Sequence, residues 1–164
     1  MFKYEWILEK SKATGYLNSK IMPMMAHENI LVFGKGKLKY NPQKTTGSPY
    51  NKGKAHRPTD VYGSQTETLV KNDDGTRYPR TVQYFITAES EGKLHPTQKP
   101  VALMEYLIKT YTNENETVLD FTMGSGTTGV ACKHLNRKFI GIEKEEKYCT
   151  ISAKRMCQDV MNFA

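Results

Sequence analysis

The sequence predicts an α/β fold built around a parallel pair of strands, and three observations predict it. From residue 99 onward the order of elements reads helix, strand, helix, strand, helix. The segment "VLDFTMGSGTTG", 118 to 129, reads as a strand, a glycine turn and the opening of a helix. Its Gly124, Gly126 and Gly129 have the spacing G-x-G-x-x-G, which lets a helix N-terminus and its backbone N–H groups approach a ligand closely. Two strands joined by such a helix form a right-handed βαβ unit.

The elements follow in order. Residues 2–9, "FKYEWILE", are aromatic and β-branched and predict a strand. A loop around Pro23 leads to "ENILVFG", 28–34, an apolar run of the length of a buried strand. From about Lys35 to Gly92, Gly, Pro, Asn, Asp, Lys and Thr dominate, with strand-like pieces at "TETLV" and "TVQYFIT". This stretch reads as an insert, residues 40–92, within one domain spanning 1–164, a length that allows one core and is short for two. Pro100 opens a helix at the position that needs no N–H, and Val101, Met104, Leu107, Ile108 and Tyr111 fall on one of its faces. "NENE" is a polar turn into the strand "TVLDF". The helix after the glycines runs through Leu135 and ends at Asn136-Arg137; "KFIGIE" is a strand finishing at Glu143. Residues 144–161 predict an amphipathic helix with Cys149, Ala153, Met156 and Val160 as its stripe.

Charge is distributed unevenly. Residues 1–99 carry 16 Lys and Arg against 9 Asp and Glu, while residues 100–164 carry 8 of each. Between 29 and 59 lie Lys35, Lys37, Lys39, Lys44, Lys52, Lys54 and Arg57 with no acid, and tyrosines and glycines are interleaved. Such a run is either a solvated basic loop or a patch that neutralises phosphates and releases counterions. No stretch approaches the roughly 18 apolar residues of a membrane span, and the N-terminus lacks a secretory pattern. Cys132, Cys149 and Cys157 form neither an even set nor a C-x-x-C pair, which fits reduced thiols in a cytoplasmic protein. The four histidines are scattered, and no metal site is expected.

Glu143 lies 17 residues beyond Gly126, about where an acid bonds ribose hydroxyls. The glycine turn and this acid together support a nucleoside-containing cofactor. Asp120, just before the glycines, is awkward beside a pyrophosphate. It suits an ammonium or sulfonium, or else serves as a helix cap or turn carboxylate. Only 21 residues follow Glu143, so the rest of the sheet must come from earlier in the chain, a permuted order. Both points weigh against a nicotinamide-dependent oxidoreductase.

"HPTQKP" (95–100), followed by "VLDFTMGSGTTG" and "FIGIEKEEKY", resembles the C-terminal half of a permuted, beta-class S-adenosylmethionine-dependent DNA amino-methyltransferase. "YEWILEKSKATGYLNSK" and "HENILVFGKGKLKYNPQ" resemble the segments that follow the catalytic motif in that family, and the likeness is weakest at about 45–90. The family methylates adenine N6 or cytosine N4, commonly in bacterial and phage restriction-modification systems. The resemblance implies a Rossmann-like methyltransferase fold and S-adenosyl-L-methionine as cofactor. Asp120, Phe121 and the backbone from Thr122 through Gly124 and Ser125 to Gly126 would hold its methionine part, with Thr127 and Thr128 at the helix start. Glu143 would take the ribose hydroxyls, and Thr97 and Lys99 would meet the carboxylate side. The basic insert stands in the place of the target-recognition region, where phosphate contacts position double-stranded DNA and base contacts specify it. The target base would be flipped out to reach the methyl donor.

The family's catalytic motif is a polar residue, Pro-Pro and an aromatic. None of the seven prolines here adjoins another, so no catalytic residue is assigned. In the permuted order the motif belongs before residue 1, on a central strand between "TVLDF" and "FKYEWILE". The expectation is a methyltransferase domain lacking that strand and inactive alone. The alternative is a non-catalytic DNA-binding remnant, or one half of a split enzyme whose motif comes from a separate chain.

Overall fold

The computed structural model describes residues 1–55, 63, 68–92 and 94–157. It divides into two compact units, Met1–Asn41 with Arg80–Ala164, and Pro42–Pro79. In the first unit, β1 (Phe2–Thr14) pairs antiparallel with β2 (Met25–Phe33). Trp6 and Leu8, two residues apart on one face of β1, are buried. β1 runs five residues past the apolar run that predicts it. Between Glu9 and Thr14 the ladder with β2 is irregular, and it resumes with Thr14 opposite Met25.

The second unit contains β3 (Thr45–Thr46), β4 (Tyr50–Ala55), β5 (Thr68–Asn72) and β6 (Thr76–Arg77). β4 pairs with β5 and β3 with β6, both antiparallel. The turn before β6 is built by Asp74, whose carboxylate accepts the Thr76 backbone N–H at 2.9 Å and the Thr76 hydroxyl at 3.0 Å. Arg77 donates to the Asn72 side chain at 2.9 Å and lies over the Tyr50 ring, 4.7 Å from its centroid.

The chain re-enters the first unit at β7 (Val82–Phe85), which pairs parallel with β1 from Ile7–Val82 to Lys10–Phe85. The division at 42 and 79 is therefore narrower than the expected insert of 40–92. "TVQYFIT" is in part a strand of the main sheet, by a long-range pairing that local sequence does not announce.

α1 (Val101–Tyr111) follows Pro100, and Asn41 binds its C-terminal end. The Asn41 N–H donates to the Thr110 carbonyl at 2.8 Å, and its amide to those of Lys109 and Thr112. One face of α1 meets the first sheet. There Tyr106 packs edge-on against Trp6 and Phe85, with ring centroids 5.7 and 5.8 Å away. Its other face meets the βαβ unit of β8 (Thr117–Asp120), α2 (Thr127–His134) and β9 (Lys138–Gly141). β8 and β9 are parallel, in register from Thr117–Lys138 to Asp120–Gly141. Ile108, Ala131 and Cys132 form the buried centre here, with Val101, Met104, Val118, Leu135 and Phe139 packed around it. Burial pushes the Cys132 thiol up to about 11. The opposite face of the strand pair leaves Leu119 and Ile140 exposed.

α3 (Glu146–Cys157) turns Ser152 inward and leaves Ala153 exposed, correcting the expected stripe; Val160 lies outside the described residues. The strand expected between "TVLDF" and "FKYEWILE" would find β1's edge partly taken. β1 already carries β2 on one edge and, over Ile7–Lys10, β7 on the other. Among the described residues the β8–β9 pair shares no ladder with that sheet, and the open edges belong to β2, β7, β8 and β9. No helix among the described residues is long and apolar enough to cross a membrane.

The aromatic centre yields a test of packing. The Trp6 indole N–H donates to the Tyr111 hydroxyl at 2.6 Å, and that hydroxyl lies 3.0 Å from the hydroxyl of Tyr4. Trp6→Phe removes one donor and part of a buried ring, and is expected to lower unfolding free energy by about 2 kcal/mol. Urea denaturation of Trp6→Phe, Tyr111→Phe and the double variant should give a coupling of about 1 kcal/mol. Additive effects would refute the bond's contribution.

Candidate functional site

Because β8 and β9 are parallel, both end on the same side, and the crevice beyond their carboxyl ends is where an α/β sheet offers a site. β8 ends in Asp120 and the chain leaves β9 towards Glu143. The Ile142 N–H donates to the Asp120 carbonyl at 2.9 Å, and the Met123 N–H to the Ile142 carbonyl at 3.1 Å. The glycine turn is thereby fastened to the end of the neighbouring strand.

Each glycine of the turn has its own reason. Gly124 has φ +52°, and a Cβ there would touch the His95 ring at 3.4 Å. Gly126 has φ +78° and stands where a Cβ would lie 2.5 Å from that of Ser152. It closes the turn by donating to the Met123 carbonyl at 2.8 Å and opens α2. At Gly129 a Cβ would meet the Phe139 ring at 2.8 Å, so this glycine sets how closely α2 lies on β9. The spacing thus serves the packing of α3 and β9 as well as the approach of a ligand.

Asp120 accepts the Thr122 N–H at 3.0 Å and the Thr128 hydroxyl at 2.6 Å. It is a turn carboxylate, one of the readings its position allows, and it spans the glycines from strand end to helix. Glu143 accepts the Gly124 N–H at 2.9 Å with one oxygen and the N–H groups of Lys144 and Glu145, at 2.9 and 3.0 Å, with the other. Those bonds, that of Glu145 first, hold its carboxyl below the ordinary glutamate value. A carboxylate so depressed adds stability that is complete above the unfolded value of about 4.3 and is lost as pH falls through the lower folded value. The Gly124 amide resonance should therefore titrate below pH 4.3 and lose that transition in Glu143→Gln. A midpoint at the ordinary glutamate value would contradict the bonding. Phe121 is 72% exposed beside the turn.

The "HPTQKP" segment reaches the turn through residues that the sequence reading passed over. His95 faces Gly124, packs edge-on against Tyr148 with centroids 4.3 Å apart, and accepts from the Thr97 N–H at 3.3 Å. Gln98 accepts the Ser125 hydroxyl at 3.2 Å and the Leu94 N–H at 3.1 Å. Lys99 is directed elsewhere: its ammonium pairs with Glu28, whose second oxygen lies 3.7 Å from Lys10. The bond from Lys99 holds the Glu28 carboxyl below its usual value. These groups, with Thr87, His95 and Thr97, line a cavity of about 360 Å³. Arg155, on α3, was also passed over. Its guanidinium donates to the Ser125 carbonyl at 2.8 Å, the Ser125 hydroxyl at 3.2 Å and the Thr127 hydroxyl at 3.1 Å. Ser125 and Thr127 are buried, while Thr128 sits at the edge of burial.

The basic run falls across both units. Lys35 and Lys37 are exposed after β2, and Lys39 pairs with Glu116. In the second unit Lys44 lies over the Tyr78 ring at 4.7 Å, Lys52 over Tyr50 at 5.3 Å, and Lys54 is exposed on β4. Arg57 lies outside the described residues.

Two carboxylates, Asp120 and Glu143, thus flank the glycine turn. A model of the DNA methylase family, N6 and N4 type, matches residues 2–154. The Type II methyltransferase M.HpaI of Haemophilus parainfluenzae is 34% identical over 137 residues, 84% of this chain and 40% of that protein. M2.LlaDCHI of Lactococcus lactis subsp. cremoris is 44% identical over 93 residues, 55% of this chain and 34% of its own length. Among solved structures, the M1.HpyAVI–SAM complex superposes with a TM-score of 0.64 at 31% identity, covering 96% of this chain and 63% of that one. The PvuII DNA methyltransferase (cytosine-N4-specific) shares the fold, at TM-score 0.64 and 20% identity, with 96% and 52% covered. The chain therefore spans well under half the length of these two curated relatives.

Proposed function

The chain belongs to the N6/N4 DNA methylase family, and from that membership we propose that it is the cofactor-holding and DNA-recognising part of an S-adenosylmethionine-dependent DNA amino-methyltransferase. One observation carries the reading: Asp120 ends one of two parallel strands and Glu143 follows the other, and the glycine turn is bonded to Asp120 through the Thr122 N–H and to Glu143 through the Gly124 N–H. Asp120 offers a carboxylate to the ammonium of the methionine part, and Glu143 keeps a free acceptor site on the oxygen that binds Gly124 for a ribose hydroxyl. Phe121 and the backbone from Thr122 to Gly126, with Ser125, Thr127 and Thr128, shape the floor of the site. Thr97 borders it through His95, and Lys99 would reach it only on leaving Glu28.

When bound, the cofactor supplies a sulfonium methyl group to the exocyclic amine of adenine or cytosine. The second unit and the lysines at 35, 37 and 39 supply phosphate contacts that position the duplex. The Pro-Pro-aromatic motif comes from protein outside these 164 residues, in the same polypeptide or a separate chain. The open edges of β2 and β8 and the exposed Leu119 and Ile140 support that reading. The setting that fits is the cytoplasm of a bacterial or phage-infected cell, in a restriction-modification system.

Titration calorimetry with S-adenosylmethionine and a methyl-transfer assay on duplex DNA test the proposal. Weak cofactor binding without turnover is the expected result, and robust turnover by the chain alone would overturn the assignment of the motif elsewhere. The chain's partial span of its relatives also admits a DNA-binding remnant. Steeply salt-dependent DNA binding with no cofactor affinity would favour it.

A further inference from the structure

We propose that Arg155 is the positioning residue that makes the glycine turn selective for a ligand bearing a carboxylate. The inference rests on the cofactor reading above and extends it to a residue on α3. Asp120 and Glu143 are both anions and repel a carboxylate brought to the turn. A zwitterionic end, ammonium and carboxylate together, therefore needs a cation close by. Lys99, the cation the sequence puts forward, has its ammonium on Glu28. Among the described residues Arg155 is the cation that hydrogen-bonds the turn, and its three bonds to Ser125 and Thr127 all land there.

The geometry gives the guanidinium two effects. It draws the Ser125 carbonyl towards α3, so that an oxygen dipole that would oppose an anion is turned away from it. It also donates to the Ser125 and Thr127 hydroxyls, which fixes both oxygens as acceptors from Arg155 and leaves their protons to point elsewhere. The Ser125 hydroxyl donates to Gln98, and the Thr127 hydroxyl stands at the first residue of α2, where the helix dipole favours negative charge.

Binding of S-adenosylmethionine and of decarboxylated S-adenosylmethionine to the chain, compared by calorimetry, tests this directly. Arg155→Gln should weaken the first roughly 10-fold and the second less than about 2-fold, while Arg155→Lys should recover most of the preference. Thr127→Val, which deletes one oriented hydroxyl and leaves α3 intact, should shift the ratio in the same direction, and it serves if Arg155→Gln fails to fold. Equal weakening of both ligands would reduce Arg155 to a structural role and overturn the proposal. A wild-type chain that binds neither ligand would overturn the cofactor reading, and this inference with it.

Discussion

Gly126→Val should unfold the chain at a markedly lower temperature and denaturant concentration, with a loss of about 3 kcal/mol or more. Gly126 holds φ +78°, a left-handed conformation that costs an L-residue about 1–2 kcal/mol, and a β-branched side chain more. Its Cβ would also stand 2.5 Å from that of Ser152 and 3.0 Å from the Ser152 Cα. Since the Cα cannot move aside as a flexible side chain would, overpacking adds about 1–3 kcal/mol. The two contributions separate experimentally. Gly126→Ala with Ser152→Gly should recover the packing part and leave the backbone part. Melting curves of Gly126→Val and wild type that superpose would refute the geometry of the turn.

Asp120→Ala should remove most of the affinity for S-adenosylmethionine, roughly 30- to 100-fold, the equivalent of about 2–3 kcal/mol for a lost charge-assisted bond to a cation. The same change leaves the Thr122 N–H and the Thr128 hydroxyl without the acceptor they have in the native turn. A stability loss of about 1–2 kcal/mol is therefore expected alongside. Asp120→Asn keeps an acceptor for Thr122 but no charge, so it should regain stability and not affinity. Calorimetry and denaturation of the two variants distinguish the roles. Full affinity in Asp120→Asn would mean that Asp120 serves the turn alone.

Much of this architecture was legible because it is local. The βαβ unit follows from "TVLDF", the glycines and "KFIGIE", and α1 from Pro100 and the apolar spacing after it. What could not be read depends on contacts distant in sequence. Ala153 was the natural residue for the inward stripe of α3. Ser152 is instead the residue that faces Gly126, a contact between positions 26 apart that the helical spacing alone does not announce. β7 looked like part of an insert since nothing in "TVQYFIT" names Ile7–Lys10 as its partner. Lys99 and Arg155 find partners that local sequence does not announce, for the same reason. One cation meets Glu28, 71 residues away, and the other meets a turn 30 residues before it.

α1 has a consequence for how the first unit comes apart. Tyr106 on one side of the helix grips Trp6 and Phe85, and Ile108 on the other grips Ala131 and Cys132. No ladder among the described residues carries load from one strand set to the other. The helix is accordingly a latch between two blocks that can open separately. Amide exchange in β8 and β9 should not track exchange in β1 and β2 once α1 frays. Whatever stiffens α1, or bridges the strand sets, would convert two partial openings into a single cooperative one.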